Sequence, residues 1–333
     1  MNGESARPKR IWLHVVLFLV TFVTTTIAGA WQNNLDLSYL IRNPWEVVSG
    51  LPFSVTLMAI LLVHEMGHYL MSRRYKVEAT LPFFIPGPSF IGTFGAVIKM
   101  QSRMPDRKSL FDIGAAGPIA GLVVSIVAVL VGLQFQAPPT RPEITYYSSY
   151  LFSFLVKLGL GAIPEGEFEI HPIATAGWFG LFVTALNLLP AGQLDGGHVS
   201  YALFGRRHVW VSRLTVLLLF AFGLKDWSGW IFWGVLILAV IGVRHPPPTD
   251  ADTPLDPKRK LVGWLLLVTL AVTFMPLPFT FNEPEIHEER PQQPEGREGL
   301  QRTKGKEDRD ERATKLAPIF SHDHARRGRA LHL

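Results

Sequence analysis

The stretch Leu57-Met-Ala-Ile-Leu-Leu-Val-His-Glu-Met-Gly-His-Tyr-Leu70 sets three ionisable side chains within about one helical turn of an otherwise apolar run. On a helix, positions four apart share a face, so His64 and His68 can grip one ion. Glu65 lies one residue along from His64. Ionisable residues inside a membrane helix cost roughly 2.5–3.5 kcal/mol each on insertion scales. No Lys or Arg stands beside these three in sequence, and a metal is the partner that best accounts for them. A hydrogen-bonded polar cluster is the plainer reading of the same residues.

His-Glu-x-x-His on a helix is the pattern of zinc peptidases. Two imidazoles hold Zn²⁺, and the Glu takes a proton from water whose pKa the metal brings to about 7. Five residues with three fixed positions recur by chance in soluble proteins. The apolar setting is what gives this instance weight.

The rest of the chain fits that setting. Of 333 residues, 48% are hydrophobic and only 18% are charged, with a mean hydropathy of +0.23. Several apolar runs near twenty residues point to one polytopic helical bundle. The net charge of +5 suits Lys and Arg gathered on cytoplasmic loops. No nucleic-acid motif is present, so no nucleic-acid partner is expected. The absence of cysteine excludes disulfides, Cys-ligated zinc and thiol catalysis.

Seven apolar runs are expected to span: 11–30, 51–71, 111–133, 174–204, 209–224, 227–243 and 261–281. Arg7-Pro-Lys-Arg10 before the first, and Arg73-Arg74 with Lys76 after the second, put the N-terminus and that end of the second span in the cytoplasm. The fold class is therefore an all-α polytopic membrane protein with about six to seven transmembrane helices. Leu81–Phe90 is apolar but broken by three prolines, and Thr93–Met100 reads as a short strand. A small membrane-associated β-hairpin around Gly87-Pro88 and an ordinary apolar loop are both open here. Gly114-Ala-Ala-Gly-Pro-Ile-Ala-Gly121 reads as close helix packing. Tyr150–Leu160 is too short to span and reads as an interfacial helix. His14 and His171 read as interfacial and solvated side chains. Residues 1–281 form the membrane-embedded domain. Residues 282–333 are mixed in charge and read as a disordered tail, in which His322-Asp-His324 is incidental.

A second polar stretch, Asn187-Leu-Leu-Pro-Ala-Gly-Gln-Leu-Asp-Gly-Gly-His198, interrupts the fourth run. Its proline and glycines should break the helix, which membrane proteins tolerate where a site is lined. Asp195 supplies an anionic oxygen suited to completing two histidines around zinc while leaving a position for water. Glu65 stands eight residues before Arg73 and Asp195 eleven before Arg206, roughly 12 and 16 Å from one boundary. The two stretches can therefore share a depth.

Together these stretches resemble the site-2 protease family of intramembrane zinc metalloproteases. Gly92-Thr-Phe-Gly-Ala96 and Ala116-Gly-Pro118 are similar to the family's segments between them. The resemblance covers about residues 50–205. It implies that His64, His68 and Asp195 bind one Zn²⁺ per chain. It implies Glu65 as general base that later passes a proton to the leaving amine, and Asn187 as a catalytic residue that holds substrate or oxyanion. It gives His198 no role; a hydrogen bond that supports a metal-binding residue and helix-end packing are both open. The implied partners are membrane-spanning protein substrates and the lipid bilayer, in regulated intramembrane proteolysis. The connection 134–173 lacks room for the PDZ domain of many bacterial members, so this is a compact member.

A helical substrate must unwind before water reaches its peptide bonds. The 81–100 hairpin is expected to offer it an edge, which prolines at Val97 or Ile98 would disturb. A membrane zinc transporter, or a zinc-binding non-proteolytic relative, would also place His and Asp in spans. The transporter has no reason to put a Glu directly after the first His, and a non-proteolytic relative would usually have lost one of His64, Glu65, His68 and Asp195, all intact here.

Overall fold

A computed structural model describes residues 11–33, 37–137, 144–164 and 168–281. The tail 282–333, with His322 and His324, lies outside the described residues. The helices are α1 (Ile11–Gln32), α2 (Leu37–Arg42), α3 (Leu51–Arg74), α4 (Arg107–Gly132), α5 (Tyr150–Leu160), α6 (Pro172–Asn187), α7 (Asp195–Phe204), α8 (His208–Lys225), α9 (Gly229–Leu236) and α10 (Pro257–Thr273). The strands are β1 (Phe83–Pro86), β2 (Thr93–Val97), β3 (Ile144–Tyr146) and β4 (Phe279–Phe281).

The protein is mostly helical. Among the described residues, four helical stretches are long and apolar enough to cross a bilayer: Ile11–Gln32, Pro44–Arg74, Arg107–Gly132 and Asp195–Lys225. Three expected spans come out shorter. The run 174–204 is divided between α6 and α7. The last turns beyond α9 widen into a π-helical stretch, Ile237–Ile241, that ends at Gly242. The run 261–281 stays helical only to Thr273, because Pro276 and Pro278 offer no N–H to continue the ladder. Its remainder becomes β4, which pairs antiparallel with β3.

Local chemistry explains the main helices. In α1 the hydroxyls of Thr25 and Thr26 donate to carbonyls one turn back, which satisfies them in apolar surroundings. Thr25 also meets Ser54 of α3 at 2.6 Å. Helix α3 carries Pro52 in its first turn, where a missing N–H costs nothing, and ends on Arg73-Arg74, which suit the negative end of the helix dipole. Helix α4 opens with a capping box between Asp106 and Ser109. It packs against α3, α6 and α7 and forms the middle of the bundle. At its basic end, Arg259 of α10 makes a forked pair with Asp112, at 2.6 and 2.8 Å.

Small residues set the helix spacing. A Cβ on Gly67 of α3 would come within 2.6 Å of the Ala116 carbonyl in α4. A Cβ on Gly177 of α6 would meet the Val129 backbone at 2.7 Å. The apolar core beside these contacts includes Phe53, Leu57, Trp178, Phe179 and Leu181.

Strands β1 and β2 pair antiparallel, with Phe83 opposite Val97 and Phe84 opposite Ala96. The pairing extends through an Ala79–Met100 bridge. Gly92, at φ +81°, makes the turn that returns the chain. On the α1 side, His14 Nδ1 lies 3.1 Å from the Pro82 carbonyl and its ring sits 4.0 Å from Phe83. His171 instead caps α6, where its Nδ1 accepts from the Ile173 N–H.

Candidate metal centre

The helical register of α3 stacks His64 and His68 on the face turned to α4. That approach needs glycine on α4. A Cβ at Gly117 would fall 2.0 Å from His68 Nε2, and one at Gly121 would fall 3.0 Å from His64 Nδ1. The Gly114–Gly121 stripe therefore makes room for two imidazoles as well as for a helix.

Asp195 reaches the same point from the broken helix. Chain 188–194 turns at Pro190 and at Gly192, whose φ is +49°. Asp195 is the first residue of α7. The helix start lies tight against the turn: a Cβ on Gly196 would stand 2.0 Å from the Leu188 carbonyl, and one on Gly197 2.3 Å from that of Gly192. The Leu-Asp-Gly-Gly sequence is thus what lets a carboxylate descend onto α3.

His64 Nε2, His68 Nε2 and Asp195 Oδ2 form a triangle with all three edges 3.2 Å. Both histidines are buried and Asp195 is mostly so. His68 Nδ1 lies 2.7 Å from the Ile113 carbonyl. A carbonyl can only accept, so Nδ1 carries a proton, and Nε2 is the nitrogen that neutral His68 would offer to a metal. Two imidazole nitrogens and a carboxylate oxygen converging this closely need a cation between them, a proton or a metal ion. Tetrahedral zinc with bonds of about 2.0–2.1 Å sets its donors about 3.3–3.4 Å apart. The triangle is close to one face of such a tetrahedron, and two nitrogens with one oxygen are a catalytic zinc donor set with one position left over. The residues fit the metal.

Glu65 is 7% exposed and sits beside this triangle without joining it. The Ile98 N–H, just past β2, is turned toward its carboxylate. Asn187, the last residue of α6, lies with its Nδ2 3.3 Å from His64 Nε2. All five side chains line one cavity of about 680 Å³. One wall is the Ala96–Met104 chain and another is His245-Pro-Pro-Pro248.

Three features of the site carried no signal in the sequence. The Ile113 carbonyl and the Ile98 N–H are backbone groups, and their use depends on tertiary placement. His245, outside both motif stretches, meets His198 at 2.6 Å between Nε2 and Nδ1. His198 thus holds a specific partner rather than only filling space.

Residues 52–223 match the family model of peptidase family M50. The chain is 31% identical over 306 residues to an Arabidopsis thaliana protein named "Probable zinc metalloprotease EGY1, chloroplastic", covering 81% of this chain and 54% of that protein. Its rice namesake (Oryza sativa subsp. japonica) is 33% identical over 240 residues, 69% of this chain and 41% of that one. A second Arabidopsis thaliana protein, named "Probable zinc metalloprotease EGY2, chloroplastic", is 31% identical over 272 residues, 79% and 48%. The chain spans about half the length of the curated relatives it matches.

Proposed function

Because this chain belongs to peptidase family M50, we propose that it is an integral-membrane zinc metalloendopeptidase. Its substrates are other membrane proteins, cut in or near their membrane-spanning segments. The observation that carries this reading is the equilateral His64–His68–Asp195 donor triangle with Glu65 beside it.

His64, His68 and Asp195 hold one zinc ion. When bound, zinc acts as a Lewis acid that lowers the pKa of water to about 7. Glu65 takes the proton of the attacking water and returns it to the leaving amine. The Ile98 N–H keeps the Glu65 carboxylate turned to the cavity. Asn187 offers an amide N–H to the substrate carbonyl oxygen, where negative charge develops.

The substrate enters as an unwound strand. Successive residues of a strand turn their N–H groups to opposite sides. Ile98 faces Glu65, while the Lys99 carbonyl accepts from the Thr80 N–H on the opposing segment of the hairpin. Ala96, Ile98 and Met100 therefore share the side open to the cavity, and a peptide can add along it. Val97 faces β1 instead. The hairpin lies at the membrane surface. The chain crosses the bilayer six to seven times, with α6, the stretch from α9 to Ile241 and α10 as shorter spans beside the four long ones. The N-terminus and the mouth of the site are cytoplasmic, and the membrane-embedded part is 1–281.

The test is a panel of tagged single-span proteins beside soluble peptides of the same sequences. The reading predicts cleavage of the spans, with new termini in or near the apolar segment. Cuts confined to soluble loops would contradict it.

A further inference from the structure

The segment Gly242–Asp250 lies beyond the residues that match the family, yet it closes one side of the catalytic cavity. It is fastened at three places. Its start crosses the broken-helix turn so closely that a Cβ on Gly192 would fall 2.0 Å from the Gly242 carbonyl. Its end pairs with the chain leading into α4: the Thr249 and Asp250 N–H groups donate to the Met104 and Pro105 carbonyls at 2.9 and 2.8 Å. In between, His245 meets His198 of α7, and its ring packs on Tyr201 at 4.9 Å.

The histidine pair has a defined polarity. His245 Nδ1 lies 2.6 Å from the Pro246 carbonyl and must donate to it. Its Nε2 is then an acceptor, and His198 Nδ1 is the donor across 2.6 Å. His198 follows Asp195 by one turn of α7. The tie therefore joins the segment to the helix that presents Asp195.

Pro246, Pro247 and Pro248 have no N–H groups. A chain facing them finds no ladder donors, whereas Ala96, Ile98 and Met100 across the cavity have them. We propose that Gly242–Asp250 is a fixed second wall of the substrate cleft, held in position by the His245–His198 hydrogen bond. This rests on the protease reading above. The unwound substrate finds ladder donors on one side only, in the Ala96–Met100 chain. Its other side slides against a donor-free proline surface. The cleft thus offers ladder donors to an extended strand along one wall and none along the other. His245 is a positioning residue, since it acts through the wall.

The chain has no cysteine, so single cysteines report cleanly. Pro247→Cys and Ala96→Cys are each placed in a Glu65→Gln background and oxidised with a single-span substrate carrying one cysteine near its cut site. Disulfides to both positions are expected. A disulfide at 96 with none at 247 for any substrate position would overturn the second wall, and so would none at either while wild type cleaves. If wild type cuts no span at all, the protease reading has failed and the wall falls with it. In kinetics, His245→Ala should raise KM several-fold with kcat and zinc content held. His245→Gln, whose amide oxygen can accept from His198, should restore KM. A fall in kcat alone, or a Gln variant as impaired as Ala, would remove His245 from this role.

Discussion

His68 Nδ1 donates its N–H to the Ile113 carbonyl, 2.7 Å away, and so turns Nε2 toward the His64 Nε2 at 3.2 Å. Beside the Asp195 carboxylate, two neutral imidazoles so placed would hold a metal cation. Purified protein should therefore carry one zinc per chain, and a strong chelator should lower its melting temperature. At free zinc one hundredfold above Kd, the metal would add about 2.7 kcal/mol of stability. His64→Ala, His68→Ala and Asp195→Ala should each show the lower melting temperature with no further effect of chelator. Elemental analysis and thermal scans check both statements. A chelator shift that persists in the variants would place the metal elsewhere.

Gly117 supports the site from α4 with no side chain at all. In Gly117→Ala the new methyl would stand 2.0 Å from His68 Nε2, so either the ring or α4 must move. Zinc affinity should fall about 10–100-fold, the scale seen when support behind a ligand is disturbed. Gly121→Ala, at 3.0 Å from His64 Nδ1, should cost less. Competition with a fluorescent zinc chelator measures the order, and a larger loss at Gly121 would contradict it.

The register of β2 separates two prolines that the sequence treats alike. Ala96→Pro removes an N–H on the cavity side and should raise KM with zinc content unchanged. Ile98→Pro also removes the donor to Glu65 and should lower kcat as well. Val97→Pro disturbs the pairing with Phe83 instead. Its effect should appear as lost stability of the hairpin, read by proteolysis between residues 81 and 100. Equal kinetics for Ala96→Pro and wild type would mean that the substrate does not use this edge.

Burial pushes the His245 imidazole down to about 4 from 6.5, against a smaller opposite pull from the Pro246 carbonyl. The ring faces His198, His208 and Tyr201, none of which carries a counter-charge for an imidazolium. The folded chain therefore holds His245 neutral at pH 7. Between about pH 6.5 and 4 the unfolded chain binds the proton and the folded one does not, so stability falls as pH falls through that window. The melting temperature should drop over it in wild type and drop less in His245→Gln. Identical pH profiles would contradict a neutral, buried His245.

Much of the site was legible because its chemistry is local. His64, Glu65 and His68 lie within one turn of α3, and Asn187 and Asp195 flank one helix break. The boundaries of α5 were legible too, since Tyr150–Leu160 is bounded by Ser149, which caps it, and by Gly161 in the left-handed region. The end of α10 was misjudged because hydropathy runs on past Pro276, while helix formation does not. The β3–β4 pairing joins chain segments more than 130 residues apart, which no local pattern encodes. His245 sits in a proline-rich loop and gains meaning only where the fold sets it against His198.

The central claim is that Glu65 and the zinc held by His64, His68 and Asp195 together cleave a membrane-spanning substrate. Detergent-purified wild type and Glu65→Gln, each assayed for zinc, are compared on one tagged single-span substrate with and without chelator. The account predicts cleavage by wild type alone, abolished by chelator and restored by added zinc. It predicts that Glu65→Gln keeps its zinc and does not cut. Equal cleavage by the two proteins, or cleavage indifferent to chelator, would contradict it.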